Sequence, residues 1–330
     1  MNDRPSIAIT GVSGFTGGAL AKQLIAEGFS VRGLTRSAIP DLPPGNEVVQ
    51  GDMRNRDSLV ELVQGVDTVF HIAAMFRTEG GQEEFQAVNR DGTRMLLEAA
   101  EAAGVRRFVY CSSIGVHGHV SQMPADENAP FNPRDFYQDS KLAAEEVCRE
   151  KMRDSAMEIV IVRPCGIYGP GDTRLLKMFR MLNRGTFLFV GDGKPNFHPA
   201  YIEDLVQGFI LAMKVPEAAG ETFIIGNDYL PLRDFVATAA RTIDVAPPSR
   251  RIPYGLMHNA ARVCEAVCLP LGVQPPLHRR RLTFFKHNRA FTTKKAQNVL
   301  GFRAAVDLDE GFRRTVAWYR KTGLLPAARN

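Results

Sequence analysis

The chain has 330 residues, of which 45% are hydrophobic, and a formal net charge of +5. It can therefore bury a large core in one elaborate domain or two modest ones. Its basic residues are dispersed apart from one cluster, so a nucleic-acid or membrane-surface function would depend on that cluster alone. We interpret the cluster as a loop that binds an anionic or phosphorylated ligand, and we predict no nucleic-acid partner. The cluster comprises Arg279, Arg280, Arg281, Lys286, His287, Arg289, Lys294 and Lys295.

The five cysteines form no CxxC pair, and their odd number argues against a disulfide framework. The N-terminal sequence MNDRPSIAITG passes directly into a strand pattern, without a basic and then apolar signal segment. No apolar run approaches 18 residues. We expect a cytoplasmic protein without stable membrane insertion, and we predict no metal site.

The first half of the chain alternates short apolar runs with helical patterns. Strands that are apolar on both faces, separated by helices, are typical of a parallel sheet covered on both sides. The sequence therefore predicts an α/β fold. The predicted strands are SIAIT, FSVRGL, DTVFHIA, RRFVYCS and EIVIVRP, and the predicted helices cover about 15–27, 57–64, 90–103 and the segment that begins near Tyr137.

The second half is less regular. The segment YIEDLVQGFILAMK predicts a helix, and ETFIIG predicts a strand that rejoins the sheet. The final helix is predicted in EGFRRTVAWYRKTG, with Gly323 as its stop signal. We predict a dinucleotide-binding domain at 1–165, completed by parts of 190–228, and a smaller C-terminal substrate-binding domain formed by 166–189 and 229–330.

The segment YGLMHNAARVCEAVCLPLG has an apolar stripe at helical spacing. Its members are Leu256, Ala260, Val263 and Val267. The pattern favours a lid helix or a core helix, and contact with a membrane surface is the alternative.

A glycine loop follows the first strand directly. In TGVSGFTGGAL, Gly11, Gly14 and Gly17 have GxxGxxG spacing and open a helix. Glycine permits a tight turn and a close approach to a pyrophosphate, and the helix that follows presents free N–H groups to the same anion. In this position between a strand and a helix, the motif predicts dinucleotide binding.

The second strand ends in VRGLTRS, which contains no acid to hold the ribose of NAD. Arg36 stands there instead, and an arginine at this position can pair with a 2′-phosphate. We therefore predict NADP as the cofactor, with NAD as second choice. Asp52, at the end of the third strand, is predicted to accept a hydrogen bond from the adenine amino group.

Tyr137 and Lys141 in YQDSK are separated by one helical turn, so the phenol and the ammonium share one face. Alone, such a pair is more often a solvated helix surface than an active site. The motifs elsewhere in the chain favour the functional interpretation.

Seven motifs in order make the chain resemble the extended short-chain dehydrogenase/reductase superfamily of the NAD-dependent epimerase/dehydratase type. A looser resemblance, through HPAYIEDL at 198–205 and TTKKAQNVLGF at 292–302, is to the branch of 3β-hydroxysteroid dehydrogenases and dihydroflavonol reductases. The seven motifs are TGVSGFTG at 10–17, GDM at 51–53, HIAA at 71–74, VNRDGT at 88–93, VYCSSIGVHG at 109–118, YQDSK at 137–141 and VRPCGIYGPGD at 162–172.

The resemblance implies a Rossmann-type doubly wound parallel sheet and a catalytic triad of Ser113, Tyr137 and Lys141. Ser113 is preferred to Ser112 because its spacing to Tyr137 fits the family better. Asn89 would lie near the nicotinamide. The implied cofactor contacts are Gly11, Ser13, Gly14, Phe15, Thr16, Gly17, Arg36, Asp52, Met53, Ala73, Ala74, Tyr137, Lys141 and Pro164.

Tyrosine has an unperturbed pKa of about 10, so its action as a base near neutrality requires a lowering by roughly 3 units, or about 4 kcal/mol. We expect Lys141 and an oxidised nicotinamide to favour the phenolate. Ser113 would hydrogen-bond the substrate oxygen, a hydride would pass between the nicotinamide and the carbon that carries this oxygen, and Tyr137 would move the proton.

Two enzyme classes remain open, with a purely dinucleotide-binding protein as a third alternative that the intact triad disfavours. The first is an NAD(P)-dependent oxidoreductase of a ketone and secondary alcohol on a lipid-like, sterol-like or polyketide-like molecule. The second is a nucleotide-sugar epimerase or dehydratase with tightly held NAD. Arg36 favours the first class, and the basic cluster keeps the second open. The predicted substrate contacts are Ser113, His117, Tyr168, His198 and Tyr201, with segment 255–290 as a further wall.

The resemblance also implies a homodimer, formed through the helices at 90–103 and 137–152. A monomer is the alternative.

Overall fold

The computed structural model describes residues 6–36, 46–76, 81–273, 275–277 and 279–326. The side chains of Arg280 and Arg281, which belong to the predicted basic cluster, lie outside its described part.

A seven-stranded, fully parallel sheet forms the centre of the molecule, in the order β11-β6-β5-β4-β1-β2-β3. This confirms the predicted α/β fold of the doubly wound Rossmann type, including the return of the strand in ETFIIG beside β6. The seven strands are β1 Ser6–Thr10, β2 Ser30–Thr35, β3 Glu47–Gln50, β4 Thr68–His71, β5 Arg107–Cys111, β6 Glu158–Pro164 and β11 Thr222–Ile225.

Six short strands pair outside this sheet, and the sequence patterns did not predict them. They form the two-stranded pairs β7–β10, β9–β12 and β8–β13. Their bounds are β7 Gly166–Tyr168, β8 Phe189–Val190, β9 Asn196–Phe197, β10 Pro199–Tyr201, β12 Leu230–Pro231 and β13 Arg251–Ile252.

The predicted helices of the first half are found within a few residues of their expected ends, and the two predicted helices of the second half also form. Gly323, beyond the last helix, has φ +71° and its N–H donates to Arg320 O. The helices are α1 Phe15–Ala26, α2 Arg56–Val63, α3 Gln82–Phe85, α4 Gly92–Ala102, α5 Phe136–Asp154, α6 Leu176–Asn183, α7 Ile202–Lys214, α8 Leu232–Thr242, α9 Tyr254–Cys268, α10 Arg279–Leu282 and α11 Leu308–Lys321.

The strand residues alternate between two apolar layers. Ile7 and Ile9 of β1 face a cluster that contains residues of α1, α7, α8 and α11, whereas Ala8 faces a cluster with residues of α2, α4 and α5. The first cluster contains Phe312 from α11, so the sheet and the C-terminal helices share one core. The predicted domain boundary near 165 stays a prediction.

Among the described residues, no helix has the length and apolar content needed to cross a bilayer.

A buried ion pair ties α5 to the sheet. Glu145 of α5 and Arg163 of β6 are 0% and 1% exposed and share two hydrogen bonds, Arg163 Nε to Oε1 at 2.9 Å and Nη2 to Oε2 at 2.7 Å. Arg149 donates to the same carboxylate from the next helical turn. Burial acts to raise the pKa of Glu145, but the hydrogen bond and charge of Arg163 outweigh it, and the pKa is lowered below 4.5.

We expect Glu145→Gln to lower the free energy of unfolding by about 3–5 kcal/mol, because it leaves the buried Arg163 guanidinium without a counter-charge. The matched control is Glu150→Gln on the same helix, whose half-exposed ion pair with Arg94 contributes at most about 1 kcal/mol. Urea denaturation of the three proteins gives the comparison.

The same pair predicts a pH dependence. Because the folded-state pKa of Glu145 is lowered, its stabilising contribution is present above pH 4.5 and is lost as the pH falls through the folded-state pKa. Stability of the native protein should thus decline below pH 4.5 more steeply than that of Glu145→Gln. Parallel pH profiles would contradict this assignment.

Candidate active site

The glycine loop lies where β1 and β4 end side by side. Gly11 has φ +73°, and a Cβ on it would lie 2.9 Å from the Cα and N atoms of Ala73, on the loop after β4. A Cβ on Gly17 would overlap the carbonyl oxygen of Gly11. Only glycine fits these two positions, so the chain forms a narrow cradle at the carboxyl edge of the sheet.

Helix α1 begins directly at this cradle. Gly14 precedes its first turn without a side-chain cap, and the first turn contains no acidic residue. The free N–H groups and the positive end of the helix dipole therefore face the loop. The residues present fit the pyrophosphate of a dinucleotide, as the glycine spacing predicts.

The predicted adenosine contacts lie beside one another. Arg36 is exposed just beyond β2, and Asp52 follows β3. A hydrogen bond with Arg54 is the largest cause that lowers the pKa of Asp52, and the charge of Arg36 adds to it. Met53 differs from the prediction in one respect: its side chain is 5% exposed and packs in the core against Gly92, so only its backbone is available to a ligand.

The remaining predicted cofactor residues lie along the same edge. Thr35 Oγ1 donates to Ser13 Oγ at 3.3 Å, and Ala73 N donates to Thr10 Oγ1 at 3.0 Å. Pro164 ends β6 and is buried. Phe15 and Thr16 belong to the first turn of α1, and Ala74 follows Ala73 in the loop after β4.

The three predicted triad residues meet at the carboxyl end of β5. Tyr137 lies in the first turn of α5, and Lys141 lies one turn further on. Ser113, in the loop after β5, forms a side-chain hydrogen bond with Tyr137 and accepts from Gly115 N at 3.0 Å. The Tyr137 ring packs edge to face on Phe76, with 4.8 Å between centroids.

The two neighbouring serines have different roles. Ser112 is 3% exposed, and its hydroxyl donates to Glu145 Oε1 at 2.5 Å. It therefore belongs to the buried ion pair beneath α5. Ser113 is the serine that faces Tyr137.

Within the protein alone, the expected lowering of the Tyr137 pKa is not found. Burial raises the pKa of Tyr137 above 10.0, although the charge of Arg174 and the hydrogen bond with Ser113 oppose it. Burial also lowers the pKa of Lys141 to about 8, and its Nζ atom lies 4.1 Å from the centroid of the Tyr110 ring. Loss of solvation is therefore the largest influence on the pKa values of both residues.

The sequence analysis missed Arg174. Its guanidinium lies 5.5 Å from the centroid of the Phe15 ring at the glycine loop, and its charge reaches Tyr137. Asp172 fixes it by a 2.6 Å ion pair. The only signal in the sequence is an arginine shortly after the GPGD turn.

Asn89 connects α5 to the loop after β4. Its Oδ1 accepts from Met75 N at 2.7 Å, and its Nδ2 donates to Ser140 Oγ at 2.8 Å. Ser140 Oγ in turn donates to Tyr137 O at 2.9 Å. Asn89 lies in a π-helical turn, Gln86–Asp91, an irregularity that is frequent at functional sites.

A buried polar chain beneath the site also escaped the sequence analysis. Thr10 Oγ1 accepts from two backbone N–H groups, so its own proton points to His71 Nδ1 at 2.7 Å. His71 Nε2 then donates to Thr93 Oγ1 at 2.8 Å, and Thr93 donates to Asn89 O. Burial lowers the pKa of His71 well below 6.5, so the imidazole is neutral. The sequence signal for this polar chain was the position of Thr10 and His71 at or near the ends of two otherwise apolar strands, SIAIT and DTVFHIA.

Four of the five predicted substrate contacts are buried and have partners within the protein, so their role as substrate contacts stays a prediction. Tyr168 and Tyr201 are 1% and 0% exposed and belong to the main core, where Tyr168 also packs on Phe312. His198 is held by Asn227 O at 2.5 Å. His117 accepts from Arg163 Nη1 at 2.9 Å, and burial together with the Arg163 charge lowers its pKa to about 4.

A cavity of about 390 Å³ lies at the start of α5, where Asp135 and Gln138 line it, and supplies other candidates. It reaches Gln138, the residue after Tyr137. The Cγ atom of Gln138 and the Oγ atom of Ser113 both lie next to Gly115. The segment predicted as a wall, 255–290, contributes to it. The lining residues are Arg134, Asp135, Gln138, Tyr254, His258, Glu265, Arg279 and His287.

The cavity lining contains two arginines and two acids, and further cations lie near His287. Burial lowers the pKa of His287 to about 4, and the charges of Arg289, Arg134 and Lys286 act in the same direction. Glu265, one of its two acids, pairs with Arg279 at 2.5 Å. The arrangement can accommodate an anionic group of a substrate.

Known proteins share this architecture. The family profile "NAD dependent epimerase/dehydratase family" matches residues 7–226. The chain is 32% identical to a 3-beta-hydroxysteroid dehydrogenase of Mycolicibacterium neoaurum, over 96% of this chain and 92% of that protein. It is 36% identical to a 3 beta-hydroxysteroid dehydrogenase/Delta 5-->4-isomerase of Mycobacterium tuberculosis, over 95% and 90% of the two chains.

Among solved structures, the chain is similar to DesIV, a dTDP-glucose 4,6-dehydratase of Streptomyces venezuelae crystallised with NAD and TYD. The TM-score is 0.77 at 25% identity, over 98% of this chain and all of that one.

We expect Gly14→Ala to weaken dinucleotide binding by about tenfold or more, because its Cβ would narrow the cradle above Gly11 O, 3.2 Å away. The fold should tolerate the change, since the backbone at Gly14 is extended and open to alanine. The control is Gly81→Ala, where a Cβ would meet nothing within 4 Å. Titration of nucleotide fluorescence measures both, and equal affinities would contradict the assignment of the cradle.

Proposed function

Because the chain belongs to the NAD dependent epimerase/dehydratase family and is an enzyme of the short-chain dehydrogenase/reductase type, we propose that it interconverts a ketone and a secondary alcohol with an NAD(P) cofactor. The observation that carries this proposal is the meeting of Ser113, Tyr137 and Lys141 beside the glycine cradle.

The catalytic groups have distinct roles in this reaction. A substrate carbonyl oxygen accepts hydrogen bonds from the hydroxyls of Ser113 and Tyr137, which fixes its position. In reduction, Tyr137 gives its proton to this oxygen, and in oxidation it removes that proton. The nicotinamide, when bound, supplies or accepts the hydride. Lys141 stabilises the phenolate by its positive charge, against the burial that raises the Tyr137 pKa.

A lipid-like, sterol-like or polyketide-like ketone is the substrate class we propose. The two relatives above are named for 3β-hydroxysteroid chemistry and are aligned over more than nine-tenths of this chain. We propose NADP as the cofactor because Arg36 is exposed at the end of β2, near Asp52, where it can pair with a 2′-phosphate. NAD is the second choice.

A nucleotide-sugar epimerase or dehydratase with tightly held NAD is the second candidate. The cavity next to Gln138 favours it, because a diphosphate would find Arg134 there, and Arg279 if this arginine exchanged Glu265 for the ligand. The similarity to a dTDP-glucose 4,6-dehydratase also supports it.

We further propose a homodimer in the cytoplasm. Helices α4 and α5 lie side by side on one face of the sheet and could pair with the same helices of a second copy. None of the five cysteines forms a disulfide in the structure, which agrees with a reducing compartment.

Tyr137→Phe should bind the dinucleotide normally but lose about 10²- to 10⁴-fold in kcat, because no proton can be transferred at this position. Ser113→Ala should also lose activity, whereas Ser112→Ala should retain most of its kcat and instead unfold at lower urea concentration. Oxidation of NADPH with a panel of ketones measures kcat. Near-normal turnover by Tyr137→Phe would exclude the mechanism.

The purified protein should contain no tightly held dinucleotide and should bind NADPH more strongly than NADH. Mass spectrometry of the denatured supernatant and fluorescence titration of both nucleotides provide the test. Arg36→Gln should remove the preference, and Arg56→Gln, an exposed arginine paired with Glu98, is its control. NAD that survives dialysis would instead support the epimerase or dehydratase.

A further inference from the structure

The apolar stripe of helix α9 faces solvent. Leu256, Val263 and Val267, spaced so that they share one face, are 65%, 64% and 57% exposed. The stripe continues beyond the helix through Leu271 and Val273, which are 71% and 55% exposed. The prediction of a core helix is therefore wrong for this face, which we call the outer stripe: Leu256, Ala260, Val263, Val267, Leu271 and Val273.

The opposite face of α9 accounts for its attachment to the protein. Ala261 is fully buried in a small cluster with Val190 and Leu282, and Tyr254 and Met257 pack against this cluster. The outer stripe is not needed for that packing. A contiguous set of exposed apolar side chains costs solubility and typically marks a surface that binds something.

The charge around α9 indicates what this surface binds. Residues 250–286 contain seven of the 41 lysines and arginines of the chain but only one of its 36 acidic residues, Glu265. The rest of the chain has no excess of positive charge, so the net charge of the protein resides in this segment. Arg251, Arg262 and Lys286 are exposed, and Lys286 Nζ lies 5.2 Å from the centroid of the Tyr254 ring at the start of α9.

We propose that the outer stripe of α9 docks on the surface of an anionic lipid bilayer. Apolar side chains would enter the boundary between headgroups and acyl chains, while the excess positive charge of residues 250–286 would attract anionic headgroups. A second copy of this chain fits less well, because a two-fold contact would place the same excess of positive charge on both sides. Nucleic acid would leave the apolar stripe without a partner.

This docking would place the bilayer across α9 from the cavity at the start of α5. Tyr254 and His258, on the inner side of α9, line the same cavity as Gln138, the neighbour of Tyr137. An apolar ketone dissolved in the bilayer would then reach the triad by a short path. That last step rests on the proposed function, whereas binding of the bilayer does not.

Flotation of the purified full-length protein with vesicles tests the proposal without any enzymatic assay. We expect binding to phosphatidylcholine vesicles that contain phosphatidylglycerol, weaker binding at high salt, and little binding to pure phosphatidylcholine. Val263→Asn with Val267→Asn should lower the partition coefficient by about tenfold or more. The matched control is Val48→Asn with Val60→Asn, two valines that are 43% and 37% exposed on β3 and α2.

Thermal unfolding and NADPH titration establish that both double variants are folded, and light scattering reports their oligomeric state. Absence of vesicle binding by the native protein, or equal binding by Val263→Asn/Val267→Asn, would overturn the proposal. The proposal would also be overturned if the native protein were a dimer and Val263→Asn/Val267→Asn were a monomer, since the outer stripe would then be a contact between copies. Near-normal turnover by Tyr137→Phe with vesicle binding intact would exclude the proposed function and leave the docking proposal standing, so the two proposals fail separately.

Discussion

The position of the active site depends on the buried pair of Glu145 and Arg163. Burying two charges is costly, and here the cost is offset because nearly every polar atom of the pair has a hydrogen-bond partner. Ser112 and Arg149 donate to the Glu145 carboxylate, and His117 accepts from Arg163. Tyr137 and Lys141 lie on the same helix as Glu145. The distance between this helix and the loop that carries Ser113 is therefore set by a contact that no substrate touches.

A second constraint is the approach of two backbones at the carboxyl edge of the sheet. Gly11 and Ala73 come so close that a side chain on Gly11 would separate the glycine loop from the loop after β4. The chain of hydrogen bonds from Thr10 through His71 and Thr93 holds the two strands in register below this contact. The dinucleotide cradle is thus built from main-chain geometry and supported by neutral polar side chains, which suits an anionic ligand that needs N–H donors.

The residues that the sequence could assign are those whose spacing forms part of a motif with one chemical role. Gly11, Gly14, Tyr137 and Lys141 could be assigned because their spacing carries chemical meaning in the context of the surrounding motifs. Tyr168 and His198 stand in recognisable motifs too, yet both pack inside the protein, because an aromatic or polar side chain in a motif can serve packing as well as a ligand. The outer stripe of α9 shows the converse, since helical periodicity cannot distinguish a face that meets the core from one that meets solvent.

The sequence by itself determined the parallel sheet, the order of its main helices, the glycine cradle and the spacing of the tyrosine and lysine, because all of these follow from short-range patterns of period, turn residues and apolar runs. Only the tertiary structure decided that Ser112 belongs to the buried ion pair and that burial raises the Tyr137 pKa. It also decided that Gln138 lines the cavity together with α9. These properties arise from contacts between residues far apart in the chain, whose desolvation and distances no local pattern encodes.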